Sequence, residues 1–278
     1  MDQFAGRVAV VTGAGSGMGR AFAARFAAAG MKIVAADIQE DALGDAAAQI
    51  SAAGGEVLAV PTDVSDAASV QRLADTAAAR FGAVHLLCNN AGVEGYLDGA
   101  IWEATPQDWT WTVDVNFWSV VHGIRAFVPG MLAHGQPAHI VNTCSMTAVV
   151  SAANMYGITK HAVLALSEVL ASDLNKRGAP IGVTALCPGI IATNLFRGSR
   201  NRPAELRGDS ETDGAREGAE LRERMHATLA AGMPPEQVAD LLADAIRRGD
   251  RYLLTDHDWD SQIEERHRAV LAGAGVAR

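Results

Sequence analysis

Tyr156 and Lys160 set a phenol and an ammonium four residues apart in the stretch Tyr156-Gly157-Ile158-Thr159-Lys160. Apolar residues at Met155, Ile158, Val163, Leu166, Val169, Leu170 and Leu174 recur close to a helical period over 153–176, so the pair projects from one face of a helix. A free tyrosine titrates near pH ~10 and is a poor proton donor or acceptor at neutrality unless a cation stabilises its phenolate. Lys160 can supply that cation, which makes the pair a candidate for general acid–base chemistry. The same spacing also suits an amphipathic helix with a tyrosine in the core and a lysine in water, so the rest of the chain must decide.

The elements that would position the pair alternate in type along the whole chain. A short apolar run, RVAVV at 7–11, leads into TGAGSGMG at 12–19 and then into a helical pattern ending at Gly30, which is strand, glycine turn and helix. Gly13 permits the tight turn, Gly17 lets backbone approach a pyrophosphate, and Gly19 lets helix pack on strand, with the helix N-terminus facing the phosphate. MKIVAAD at 31–37 ends in Asp37, where a carboxylate can bond both hydroxyls of an adenosine ribose and repel a 2′-phosphate. No lysine or arginine stands at 38 or in the glycine loop to offset it, so the expectation is NAD over NADP. The lesser alternative is an ordinary strand-end aspartate that caps the next helix.

A third strand running into a helix that Asp66 can cap reads at 57–66, and further strands at 85–90, 139–145, 181–189 and 251–256, with helices between them. Asp63-Val64 and Asn89-Asn90-Ala91-Gly92 lie at carboxyl ends of strands, where open parallel sheets place their ligand crevice. Thr105-Pro106, with Asp108 three residues on, opens a helix that Pro129 and the HGQP segment at 134–137 should end. Asn116 falls inside it and either faces solvent or satisfies something specific. Tryptophans 102, 109, 111 and 118 read as packing. Residues 197–225 are charged, glycine-bearing and nearly free of large apolar side chains until Leu221, which predicts an exposed, mobile excursion, either a substrate lid or a plain surface loop. The expected architecture is one Rossmann-type doubly wound α/β domain over 1–278, a parallel sheet with helices on both faces and a lid near 190–232.

Composition narrows the function. A 49% hydrophobic content over 278 residues supports a sizeable core, and a net charge of −9 argues against nucleic-acid or anionic-membrane surfaces. The three cysteines, Cys88, Cys144 and Cys187, form no ligand pattern and read as buried thiols of a reducing compartment; no metal site is expected. Neither a targeting segment nor a membrane-length apolar run is evident, so the expected location is the cytoplasm.

Taken in order, these motifs resemble the classical short-chain dehydrogenase/reductase family over nearly the whole chain. TGAGSGMG is similar to the family's cofactor loop, Asp63-Val64 to its adenine-contacting pair, and NNAG at 89–92 to the motif that steadies its sheet. Asn116, Ser145, Tyr156 and Lys160 fall where its catalytic tetrad belongs, and Pro188-Gly189 with Thr193 resembles its nicotinamide-side motif. The resemblance implies hydride transfer between NAD and a secondary alcohol or ketone. Tyr156 would be the acid–base, Lys160 would lower its pKa and hold the nicotinamide ribose, Ser145 would bond the substrate oxygen, and Asn116 would anchor a water leading from Lys160 to solvent. It also implies a cofactor site of Gly13, Gly15, Ser16, Gly17, Met18, Gly19, Asp37, Ile38, Asp63, Val64, Asn90, Ala91, Gly92, Tyr156, Lys160, Pro188, Gly189, Ile191 and Thr193. Ser145 precedes Tyr156 by 11 residues, a residue or two fewer than is usual in the family, which leaves Ser151 and Thr147 as sharers of its role.

The substrate pocket should draw on Met146, Thr147, Ala148, Ile190 and the excursion. Its aliphatic members suggest an apolar or cyclic alcohol or ketone, while Arg197, Arg200 and Arg202 leave an acidic substrate open. The family's habit of pairing long helices, here 105–128 and 153–176, implies a homotetramer or dimer. A non-catalytic dinucleotide-binding sensor could use the same fold, although Ser145, Tyr156 and Lys160 count against it. A methyltransferase would have no place for NNAG or the Tyr156–Lys160 pair.

Overall fold

The computed structural model describes residues 1, 3–207 and 213–273. Seven parallel strands form one sheet in the order β3-β2-β1-β4-β5-β6-β7. They are β1 (Val8–Thr12), β2 (Lys32–Asp37), β3 (Val57–Pro61), β4 (Leu86–Asn89), β5 (Ala138–Thr143), β6 (Ile181–Cys187) and β7 (Tyr252–Leu254). Every side chain of β1, β4 and β5 is buried, as a sheet covered on both faces requires; β1 reads as an apolar run for that reason, whereas β4 and β5 also bury Asn89, His139, Asn142 and Thr143. On one face α1 (Gly17–Ala28) and α8 (Pro235–Arg248) pack together over β1, with Phe22, Phe26, Val238, Leu242 and Ile246 in a common core. Each such side chain contributes about 2 kcal/mol of burial. On the other face α3 (Ala67–Phe81) and α5 (Ser119–His134) bury Val70, Leu73, Phe127 and Met131 against Val10 and Leu87. The remaining helices are α2 (Glu40–Ala52), α4 (Pro106–Val113), α6 (Met155–Lys176), α7 (Asp213–Ala230) and α9 (Asp260–Ala272).

The strand order reverses between β1 and β4, and a crevice opens at their carboxyl ends, as the topology of an open sheet dictates. Two expectations fail. Pro129 does not end its helix: α5 runs through it to His134 and stops at Gly135, which is left-handed (φ +64°). Pro129 is exposed, so the carbonyl that loses its helical partner faces water. The excursion is not an irregular loop either, since it contains short helices at Leu195–Asn201 and Ala204–Leu206 and most of α7; residues 208–212 of it lie outside the described residues. Among the described residues, no helix is long and apolar enough to cross a membrane.

Candidate active site

β1 ends in Thr12, whose hydroxyl accepts from the backbone N–H groups of Asn90 (2.9 Å) and Ala91 (3.1 Å). The Asn90 side chain returns a bond to the Thr12 carbonyl at 3.0 Å, so the glycine turn after β1 is stitched to the chain leaving β4. Sequence reasoning missed Thr12; the signal available was a hydroxyl closing an otherwise apolar strand. Within the turn, a Cβ on Gly19 would lie 2.0 Å from the Gly13 carbonyl oxygen, so only glycine fits. Ser16 stands at the N-cap of α1 without a side-chain capping bond, leaving the first-turn N–H groups directed at the cleft as a cradle for an anion. Asp37 closes the outer end: one carboxylate oxygen accepts from the Gly15 N–H and the other from the Gln39 N–H, both at 2.9 Å. Gly17, Met18, Ile38, Asp63, Val64, Ala91, Gly92 and Thr193 line the same open cleft. Its shape and its donor set fit a dinucleotide: backbone N–H groups in the middle and a carboxylate at one end.

The candidate acid–base group stands at the other end. Asn154 caps α6 by accepting from the Gly157 N–H at 3.0 Å, and one turn later Tyr156 and Lys160 share a face of the helix. The Lys160 Nζ lies 5.4 Å from the centroid of the Tyr156 ring and donates to the Thr143 carbonyl at 2.8 Å. Lys160 is 2% exposed, and burial lowers its pKa from 10.5 to about 8. The protein around Tyr156 pushes its phenol above the usual value, and a hydrogen bond with Ser145 opposes that rise. Ser145 follows β5, 8% exposed, and also accepts from the Thr147 N–H at 3.2 Å. Ser151 is exposed, and the enclosed hydroxyl of Thr147 has no partner, so Ser145 is the hydroxyl joined to Tyr156.

Asn116 faces inward. A π-helical turn at Asp114–Trp118 separates α4 from α5, and the extra residue swings the amide to complete burial. Its oxygen accepts from the Val93 N–H at 2.8 Å, and its nitrogen donates to the Val93 carbonyl at 3.0 Å and the Thr159 hydroxyl at 3.1 Å. The amide thus pins the chain leaving β4 to α6, one residue from Lys160. Gly92 makes room for this junction: a Cβ there would meet the Asn116 oxygen at 3.3 Å and the Lys160 Nζ at 3.4 Å.

The substrate side differs from the expectation. Met146 and Ala148 are 1% and 0% exposed and pack in a core cluster with Val163 and Cys187, because a short helical turn after Ser145 points them inward. Ile191 is also buried, beside a bridge to Met233, whereas Ile190 is 42% exposed. The Met146 N–H donates to the Pro188 carbonyl, and the Gly189 N–H donates to the hydroxyl of Thr255, a brace after β7 that sequence reasoning did not single out. Val93, Trp111 and Val115 supply an apolar wall to the cleft. The excursion docks over it through charge. Arg222 meets Asp98 at 2.5 Å and the buried Glu94 at 3.6 Å, while Arg202 meets Asp108 at 2.7 Å with its guanidinium 5.2 Å from the Trp111 ring. Burial pushes the Glu94 carboxyl up; for Asp108 burial acts the same way, but bonds from Thr105 and Arg202 prevail and hold it below the usual range. Arg202, enclosed and paired with Asp108, is committed to the protein rather than to an acidic substrate, whereas Arg197 makes only an exposed contact with Glu223. All three cysteines are buried and free, and Cys144 lies in the core.

The description "short chain dehydrogenase" belongs to the family model that matches residues 7–204. The chain is 45% identical over 192 residues to 1-deoxy-11-beta-hydroxypentalenate dehydrogenase of Streptomyces avermitilis, covering 68% of this chain and 70% of that protein. It is 32% identical to the C alpha-dehydrogenase of a Sphingobium strain, covering 98% and 87%. A crystal structure of a short chain dehydrogenase/reductase from Burkholderia phymatum in complex with NAD superposes with a TM-score of 0.95 at 40% identity, covering 100% and 99%.

Proposed function

The chain belongs to the short-chain dehydrogenase family, a family of oxidoreductases, and on that premise we propose that it is an NAD-dependent enzyme for a secondary alcohol or ketone on an apolar or cyclic framework. The observation that carries the proposal is that Tyr156, hydrogen-bonded to Ser145, and Lys160 stand at the inner end of a cleft whose outer end is the glycine turn and Asp37. NAD, when bound, supplies the hydride acceptor or donor. The first turn of α1 would hold its pyrophosphate, Asp37 its adenosine ribose, and Lys160 its other ribose. Tyr156 takes the hydroxyl proton during oxidation or returns it during reduction, and Ser145 steadies the substrate oxygen. Lys160 keeps a cation beside the phenol, and Asn116 holds the Gly92–Val93 turn so that this cation stays in place. An anchored water between Lys160 and solvent remains part of the proposal for Asn116.

Support for the substrate class comes from the wall of Val93, Trp111 and Val115 and from a relative named for a hydroxylated compound. A cytoplasmic homotetramer or dimer is part of the same reading. Trp118 and Val169, 45% and 57% exposed at the end of the π turn and within α6 respectively, offer apolar surface for pairing, which light scattering would test.

The test is NADH formation from a panel of secondary alcohols, with Tyr156→Phe as control. Turnover with NAD that the phenylalanine variant loses, while still binding NAD, is the expected result. Turnover retained by that variant would overturn the mechanism, and binding without turnover across a broad panel would favour a sensor.

A further inference from the structure

The outer end of the cleft carries a charge that the glycine turn and β2 do not provide. Arg200, from the short helix Leu195–Asn201, donates through Nη2 to the Gln39 side-chain oxygen at 2.9 Å, although the two are 161 residues apart in sequence. Its Nη1 donates to the Arg197 carbonyl at 2.5 Å, so the guanidinium is held from both sides. Gln39 is the residue whose N–H binds the Asp37 carboxylate, and Asp37, Gln39 and Arg200 line the same cleft. The short helix is itself fixed, with the Ser199 N–H donating to Glu94 at 3.1 Å and Arg202 paired with Asp108 at 2.7 Å. A guanidinium has five N–H donors in a planar fork, and its bonds to Gln39 and Arg197 use two of them.

We infer that Arg200 is a cofactor-specificity residue, which brings a phosphate-binding group to the adenosine end of the cleft and partly offsets the repulsion of a 2′-phosphate by Asp37. The inference rests on the proposed dinucleotide reading of the cleft. Discrimination between NAD and NADP is then a balance between a carboxylate on β2 and a cation delivered by the excursion. A phosphate is recognised by the fork through paired N–H bonds, whereas the ribose hydroxyl of NAD draws little from the same cation. Arg200 is solvent-exposed, so its influence weakens as salt rises.

The test is direct titration of the full-length protein with NAD and with NADP, followed by tryptophan fluorescence or calorimetry rather than by turnover. Arg200→Ala is expected to raise the ratio of the NADP to the NAD dissociation constant about tenfold, the worth of one exposed charge-assisted contact, with NAD affinity changed by less than about threefold. Arg200→Lys keeps the charge without the fork and should give an intermediate ratio. Raising the salt from about 0.05 to about 0.5 M should shrink the difference between wild type and Arg200→Ala. Arg197→Ala, which removes a side chain paired with Glu223, should leave the ratio where it was. An unchanged ratio in Arg200→Ala, with both dinucleotides still binding, overturns this inference and leaves the dinucleotide reading standing. If the wild-type protein binds neither dinucleotide, the reading and the inference fall together.

Discussion

Replacing Lys160 with methionine should make the protein more stable at neutral pH while removing most of its activity, and the size of the effect follows from the burial of the ammonium. Burial holds the Lys160 pKa at about 8 against 10.5. Below pH 8 the group is protonated in both native and unfolded chains, and the native state bears the cost of the buried cation, roughly 3 kcal/mol. Between about pH 8 and 10.5 the native chain releases this proton before the unfolded chain does. The unfolded state then binds more protons, so this group makes stability rise with pH, by at most about 1.4 kcal/mol per pH unit. Methionine removes the cation and forfeits the bond to the Thr143 carbonyl, worth about 1 kcal/mol. The variant should therefore exceed wild type by about 1–2 kcal/mol at pH 7, lose that advantage near pH 9, and fall below it by pH 10.5. Urea unfolding of both proteins at one protein concentration and at pH 7, 8, 9 and 10 reads the difference, from which titrations common to both cancel. Dehydrogenase activity should fall by a factor of about 10² to 10⁴. A stability difference that stays flat across this range would refute the claim that Lys160 is held as a desolvated cation.

Asn116→Ala should cost about 3 kcal/mol in denaturant unfolding, because it strands the Val93 N–H and carbonyl inside the protein, and should lower kcat more than it weakens NAD binding. Gly19→Ala should weaken NAD binding at least about tenfold in a fluorescence titration, since its Cβ would press on the Gly13 carbonyl and deform the turn; unchanged binding would remove the turn from the cofactor site. Asp37→Ala should lose NAD affinity and relax the discrimination against NADP, and an unaltered preference in parallel titrations would remove Asp37 from that role.

Much of the fold was legible because its signals are local. The first buried strand, β1, reads as a continuous apolar run, and Gly19 of the β1–α1 turn is required by its contact with the Gly13 carbonyl six residues away. Tyr156 and Lys160 were legible for the same reason, since a helix repeats every 3.6 residues wherever it sits. The orientation of Asn116 was not, because periodicity assumes an unbroken α-helix and the π turn at Asp114–Trp118 adds a residue. Met146 and Ala148 were assigned to the pocket for their nearness to Ser145 in sequence, yet the turn that follows Ser145 sends both into the core.

The anchoring of the excursion was not legible for a different physical reason. Hydropathy treats charge as a mark of solvent exposure, but Glu94 is fully enclosed and Arg222 nearly so, each tolerated because the other is present. A buried ion pair is a contact between residues 128 positions apart, and neither residue's neighbours in the sequence announce it. The same holds for Asp108, which sequence reading assigned correctly as a helix cap and which proves also to be the anchor for Arg202. Removing Asp108 would strand Arg202, and removing Glu94 would leave the Ser199 N–H without its acceptor; either change would loosen the segment that carries Arg200, at little cost to the sheet below. The residues of this site are therefore written in local motifs, whereas the segment docked beside it is held by long-range charge.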